Sequence, residues 1–140
     1  MNARIAAVLS CAVALLTGCS PSASGTEKLK AEILAADKAF CAASVKDGVR
    51  PSFLKVIAMD GKLLNDPRTG ADAVNATYAQ FPPTAVLKWD PSFVDVSSSG
   101  DLGYTWGRYT MSIPSGVPGK PPLISMGTYV TIWKRSPGGE

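Results

Sequence analysis

"SGDLGYTWGRY" (Ser99 to Tyr109) alternates bulky and small residues directly after a turn, and its reading decides the fold. Period-two alternation marks an extended strand, so Tyr104, Trp106, Arg108 and Thr110 share one face while Gly103, Thr105, Gly107 and Tyr109 share the other. The first set holds most of the bulk. The expectation is therefore that Tyr104, Trp106 and Arg108 face the concave side of a bent sheet, with the glycines permitting curvature or close packing. Such a row serves either as the aromatic core of the domain or as the lining of a ligand cavity, and the residue types alone fit both.

Working outward, "SSSG" precedes this stretch as a turn, and Val86 to Trp89 runs past Pro91 into Phe93 to Val96 as a strand. Leu102 to Ile113 forms the next strand, "PSGVPGKPP" breaks the chain, and Leu123 to Arg135 forms a long β-rich run. Trp89, Phe93, Tyr129 and Trp133 can join the aromatic row from these neighbours, although Val130 and Ile132 compete for the inward face of the last one. The first half reads as helices. Leu29, Ile33, Ala36, Phe40 and Ala43 recur at helical spacing, predicting a helix over 27–46 with Thr26 as its N-cap and Glu27 in its first turn. Leu34 and Cys41 widen the stripe. Arg50 and Pro51 open a second short helix carrying Phe53, Leu54 and Ile57. "MDGK" (Met59 to Lys62) is a turn between short extended pieces, in which Asp60 serves the turn rather than a site. A third helix spans 71–80, with Val74, Tyr78 and Phe81 on one face and Pro82 and Pro83 at its end. Helices first and an antiparallel meander second argue an α+β fold with one sheet face covered by helices.

Read together, "KAFCAA", "RTGADAV", "LKWDPSFVDVSSSGDLGYTWGRY" and "GTYVTIWKR" resemble the SnoaL-like, domain of unknown function 4440 branch of the nuclear transport factor 2-like superfamily. The resemblance covers Thr26 to the C-terminus and makes 26–140 a single domain. It implies a cone, also described as cystatin-like, in which a strongly bent antiparallel sheet wraps the N-terminal helices around an apolar cavity. Relatives in that superfamily include isomerases, cyclases and dehydratases beside proteins without demonstrated activity, so the fold does not fix a function. One departure stands out. "SPGGE" (Ser136 to Glu140) reads as a turn into a further strand that does not follow, so the last strand of the family pattern is expected to be missing: either the domain is truncated at its C-terminus or Leu123 to Arg135 is left partly unpaired as an edge.

The N-terminus carries an address. Arg4, the apolar run Ile5 to Leu16 and the small residues Thr17 and Gly18 form a signal peptide over 1–18, too short for a spanning helix of roughly 20 apolar residues. Leu16-Thr17-Gly18-Cys19 resembles a lipobox, which makes Cys19 the acylated first residue of a bacterial lipoprotein and 19–25 a lipidated tether. Several acyl chains suffice for stable membrane anchoring. No Asp follows Cys19, the pattern of sorting to the outer membrane, with the domain facing the periplasm. Of the three cysteines only Cys41 then remains as a thiol, so no internal disulfide forms, and its place on the first helix makes it a small core residue.

Basic residues number 14 against 11 acids, scattered rather than clustered, which argues against a nucleic-acid partner. The chain contains no histidine, which removes Ser-His-Asp and Cys-His relays and histidine-rich metal sites. "GVPGK" lacks phosphate-loop spacing, and no cofactor or metal is expected. Asp37, set between the apolar rows of the first helix, is the unusual feature: it either pairs with a nearby strand or points into the cavity. Asp37 as general base with Tyr78, Tyr104 or Tyr129 as hydrogen-bond donor is the chemistry available to an isomerase or lyase. The leading expectation is an envelope domain holding a small apolar ligand against Phe40, Trp89, Tyr104, Trp106, Arg108 and Tyr129. The alternatives are that enzyme and an interaction module that forms homodimers through its sheet.

Overall fold

A computed structural model of the chain describes residues 23–64 and 66–135. Among these, helices α1 (Ala23–Asp47), α2 (Val49–Val56) and α3 (Gly70–Thr77) precede strands β1 (Val86–Val96), β2 (Leu102–Ile113) and β3 (Leu123–Lys134). The strands form one antiparallel sheet in the order β1-β2-β3. β3 follows β2 over its whole length, from Leu102 opposite Lys134 to Ile113 opposite Leu123, and has no second neighbour among the described residues. The expected order of helices then strands is therefore the observed one.

The boundaries differ at the helices. α1 begins at Ala23, so Thr26 lies inside its first turn rather than capping it, and the last residues assigned to the tether are helical. α2 opens at Val49, one residue before Arg50, because Gly48 at φ 97° turns the chain out of α1 and so serves as its N-cap. Pro51 still falls in the first turn, where its missing N–H costs nothing. α3 stops at Thr77, ahead of the expected end at residue 80: Tyr78 caps it through its N–H to the Val74 carbonyl, and Phe81 then turns back onto the Tyr78 carbonyl. This early stop lets both rings pack, with centroids 5.5 Å apart. The turn at Met59 and Asp60 is present, but no strand flanks it.

Two features bend the sheet around α1. The register of β1 and β2 slips between Pro91 and Phe93, a bulge that increases local twist. Opposite it, Gly107 lies so near β1 that a Cβ would overlap the Asp90 carbonyl, and a Cβ on Gly103 would meet Ile33 of α1. Val49, Leu87 and Met111 form the buried centre, joined by Phe53, Tyr78, Phe81, Trp89, Tyr109 and Ile113. No described helix is long and apolar enough to cross a membrane.

The facing of β2 is the reverse of the expectation. Gly103, Thr105 and Gly107 are buried toward α1, whereas Tyr104 and Trp106 are 38% and 44% exposed on the outer face, with Arg108 beside them. The reason is steric: α1 approaches so closely that only small side chains fit beneath it, and the bulky residues are turned to the convex side. On β3, Tyr129, Thr131 and Trp133 turn inward while Val130 and Ile132 are exposed.

Candidate functional site

Where the helices diverge from the sheet they leave a cavity of about 300 Å³. Each element contributes: Phe40 from α1, Phe53 from α2, Tyr78 and Phe81 from the turn after α3, Leu87 and Trp89 from β1, Tyr109 and Met111 from β2, and Tyr129, Val130 and Thr131 from β3. None of these residues is charged. The rings hold one another in place. Phe40 meets Phe53 and Trp89 edge-on at centroid distances of 4.7 and 4.8 Å, and Phe53 meets Tyr78 at 4.8 Å.

Beneath this lining lies a buried polar chain. Asp37 on α1 is 0% exposed, the indole of Trp89 donates to its Oδ1 at 3.1 Å, and the phenol of Tyr129 donates to its Oδ2 at 2.6 Å. Thr105, also fully buried, hydrogen-bonds Tyr129 and accepts from the Trp133 indole at 3.3 Å. Burial first, and then its bond to the Asp37 carboxylate, hold the Tyr129 phenol well above its ordinary pKa. One helical turn along α1, Cys41 accepts from the backbone N–H of Trp89 and donates to its carbonyl, at 3.2 and 3.1 Å, fixing the strand residue whose indole reaches Asp37. Ser44, one step further, donates to the Leu87 carbonyl at 2.9 Å. A polar stripe on α1 therefore fastens β1 and β3 to the helix.

Of the residues expected at the site, Phe40, Trp89, Tyr129 and Tyr78 converge on the cavity or its floor, with Asp37 immediately behind. Tyr104, Trp106 and Arg108 do not: they lie on the far side of the sheet. There Phe93 sits 5.9 Å from Tyr104 and 6.4 Å from Trp106, ring centroid to ring centroid. Asp37 realises the pairing reading, because both carboxylate oxygens are held by strand side chains. Phe53, Phe81, Leu87, Tyr109, Met111 and Thr105 were not singled out from the sequence. The signal was present in Gly103 and Gly107, since a strand presents glycine where another element presses closest, and Thr105 and Tyr109 share that face.

Asp60 and Asp101 hold surface structure. Asp60 pairs with Lys134 at 3.1 Å on the surface, and Asp101 accepts from Ser97 and Ser99 in the β1–β2 turn, which holds its carboxyl below the usual carboxylate range. No cluster of metal-ligating side chains occurs among the described residues. Tyr78, Tyr109 and Thr131 make no side-chain hydrogen bond among those residues, which leaves three hydroxyls at the cavity available to an occupant.

Comparison with solved structures places this architecture. A nuclear transport factor 2-like superfamily protein from Salmonella enterica aligns with a TM-score of 0.60 at 13% identity, covering 81% of this chain and 84% of its own. This is the nuclear transport factor 2-like fold. A protein from Xanthomonas campestris described as a calcium/calmodulin dependent protein kinase II association domain aligns with a TM-score of 0.56 at 16% identity, covering 76% and 77%. No family model and no curated protein sequence matches the chain. The cone anticipated from the sequence is thus the observed fold.

Proposed function

We propose that this nuclear transport factor 2-like domain, of the SnoaL-like, domain of unknown function 4440 kind, holds a small, largely apolar ligand in its cone while anchored to the bacterial envelope through an acylated Cys19. The uncharged, aromatic cavity of about 300 Å³ carries the reading. Ligand sites are concave, mostly apolar and supplied with a few polar groups that orient the occupant. An apolar cavity of about 150 Å³ accepts one benzene ring, so this one suits two fused rings, with Tyr78 and Tyr109 to meet a single polar substituent. The anchor rests on Leu16 to Cys19, which lie outside the described residues, and on the outer-membrane pattern after them. Calorimetric titration with 2-naphthol tests the pocket: the reading expects saturable binding with a negative heat-capacity change, and a folded protein that takes up no neutral bicyclic compound counts against it. Incorporation of labelled fatty acid, abolished by Cys19→Ala, tests the anchor.

The outer sheet face favours a second reading, an interaction module that pairs with a copy of itself. Phe93, Tyr104 and Trp106 cluster there beside Val130 and Ile132, all exposed. A solution mass that doubles with concentration in the wild type and not in Trp106→Ser supports it; a monomer at every concentration argues against it.

A further inference from the structure

The acid behind the cavity has no counter-ion among the described residues. Asp37 is fully buried, and it takes part in none of the ion pairs made by the described residues. Each of its oxygens accepts a hydrogen bond, the pattern of a carboxylate. An indole N–H can only donate, so Trp133 donates to Thr105 and Trp89 donates to Asp37. Thr105 also bonds to the Tyr129 hydroxyl, and the Tyr129 phenol donates to Asp37 Oδ2 at 2.6 Å, a separation characteristic of a hydroxyl bound to an anionic oxygen. Both side-chain hydrogen bonds at Asp37 are donated to it.

Buried charges in proteins are ordinarily paired. Here the two donors that hold the charge, Trp89 and Tyr129, are themselves walls of the cavity, and Phe40, Phe53, Tyr78 and Phe81 complete an aromatic enclosure without a single Lys or Arg. Ring faces are electronegative and attract cations most strongly when water is excluded. The carboxylate one hydrogen bond behind them adds an attraction that a low-dielectric surround screens weakly.

We propose that the occupant of this cavity carries a compact quaternary ammonium group, an N-methylated cation on an otherwise apolar body. This rests on the reading of the cavity as a ligand site and specifies the ligand's chemical class. A primary ammonium is disfavoured because its three N–H donors all need acceptors, and the uncommitted side-chain hydroxyls at the cavity among the described residues, those of Tyr78, Tyr109 and Thr131, stand on three different elements. A trimethylated nitrogen has no donor to leave unpaired and presents methyl groups to the rings. An anionic ligand is excluded by the same charge that attracts the cation.

The test compares phenyltrimethylammonium with tert-butylbenzene, its neutral carbon isostere, by direct calorimetric titration of the wild-type protein, beside the 2-naphthol measurement. The proposal expects the cation to bind on the order of tenfold tighter than the isostere. Equal or tighter binding of tert-butylbenzene overturns the cationic class and leaves the pocket reading standing. If neither compound nor 2-naphthol binds, the pocket reading fails and this inference falls with it. The comparison needs no variant at Asp37, whose replacement could unfold the protein.

Discussion

Removing one oxygen atom from Tyr129 tests whether the buried chain holds the cone together. In Tyr129→Phe the ring remains, but Asp37 Oδ2 loses the donor it holds at 2.6 Å and Thr105 loses its acceptor. A hydrogen bond to a charged group contributes about 1.5–3 kcal/mol, and a buried carboxylate oxygen left without a donor costs toward the upper end of that range. Asp37 is 0% exposed, so water cannot replace the phenol without entering the interior. The expected loss is therefore about 2–3 kcal/mol. For a domain of this size, with a urea m-value of about 1.5 kcal/mol per molar, the unfolding midpoint drops by roughly 1.3–2 M. Tyr104→Phe is the matched control, because Tyr104 stands on the outer face and makes no side-chain hydrogen bond among the described residues; it should change stability by less than about 0.5 kcal/mol. Equal midpoints for the two variants would refute the assignment of Tyr129 as a fastener of α1 to β3.

Gly107→Ala should lower stability by about 3 kcal/mol or more, since the new methyl overlaps backbone atoms of Asp90 and Pro91 that cannot yield as a side chain can. Gly116→Ala, with open space around a Cβ and only its positive φ as penalty, should cost about 1 kcal/mol, and comparable urea midpoints for the two would contradict the close approach of β1 and β2. At alkaline pH the buried phenols set the slope. Burial raises Tyr78 to about 12 from an ordinary 10.0, so between those pH values the unfolded chain releases a proton that the folded chain keeps. Stability is then complete below pH 10 and falls by up to about 1.4 kcal/mol per pH unit across the window. Tyr129 adds a slope of the same sign. Tyr78→Phe should flatten the fall, and an unaltered slope in that variant would place the titration elsewhere.

Most of the fold was legible because it depends on local pattern. The stripe Leu29, Ile33, Phe40 defines α1, Pro and Gly punctuate the loops, and period-two alternation delimits β2 to the residue. The helix ends were less legible, since α3 stops at Thr77 for the sake of ring packing between Tyr78 and Phe81, a contact that its own propensity does not specify. The site was half legible. Phe40, Trp89 and Tyr129 were recognisable as candidate lining residues, though the inward face of the last strand stayed open between Tyr129 and Val130, and Asp37 stood out as an acid between apolar rows.

What the sequence determined by itself is the period of each element and therefore which side chains travel together: Tyr104 with Trp106 and Arg108, Thr105 with Gly103 and Gly107. It could not say which set turns inward, because alternation is symmetric and both faces of this sheet carry aromatic residues. Only the packing of α1 against β2 resolved that symmetry. The helix seated on the bent sheet leaves no room for a Cβ at Gly103, and the β1 backbone leaves none at Gly107, so the small face became the inner one and the bulky row became the outside of the cone. The same packing carried Asp37 to Tyr129, 92 residues away, and turned a lone acid on a helix into the charge behind an aromatic cavity.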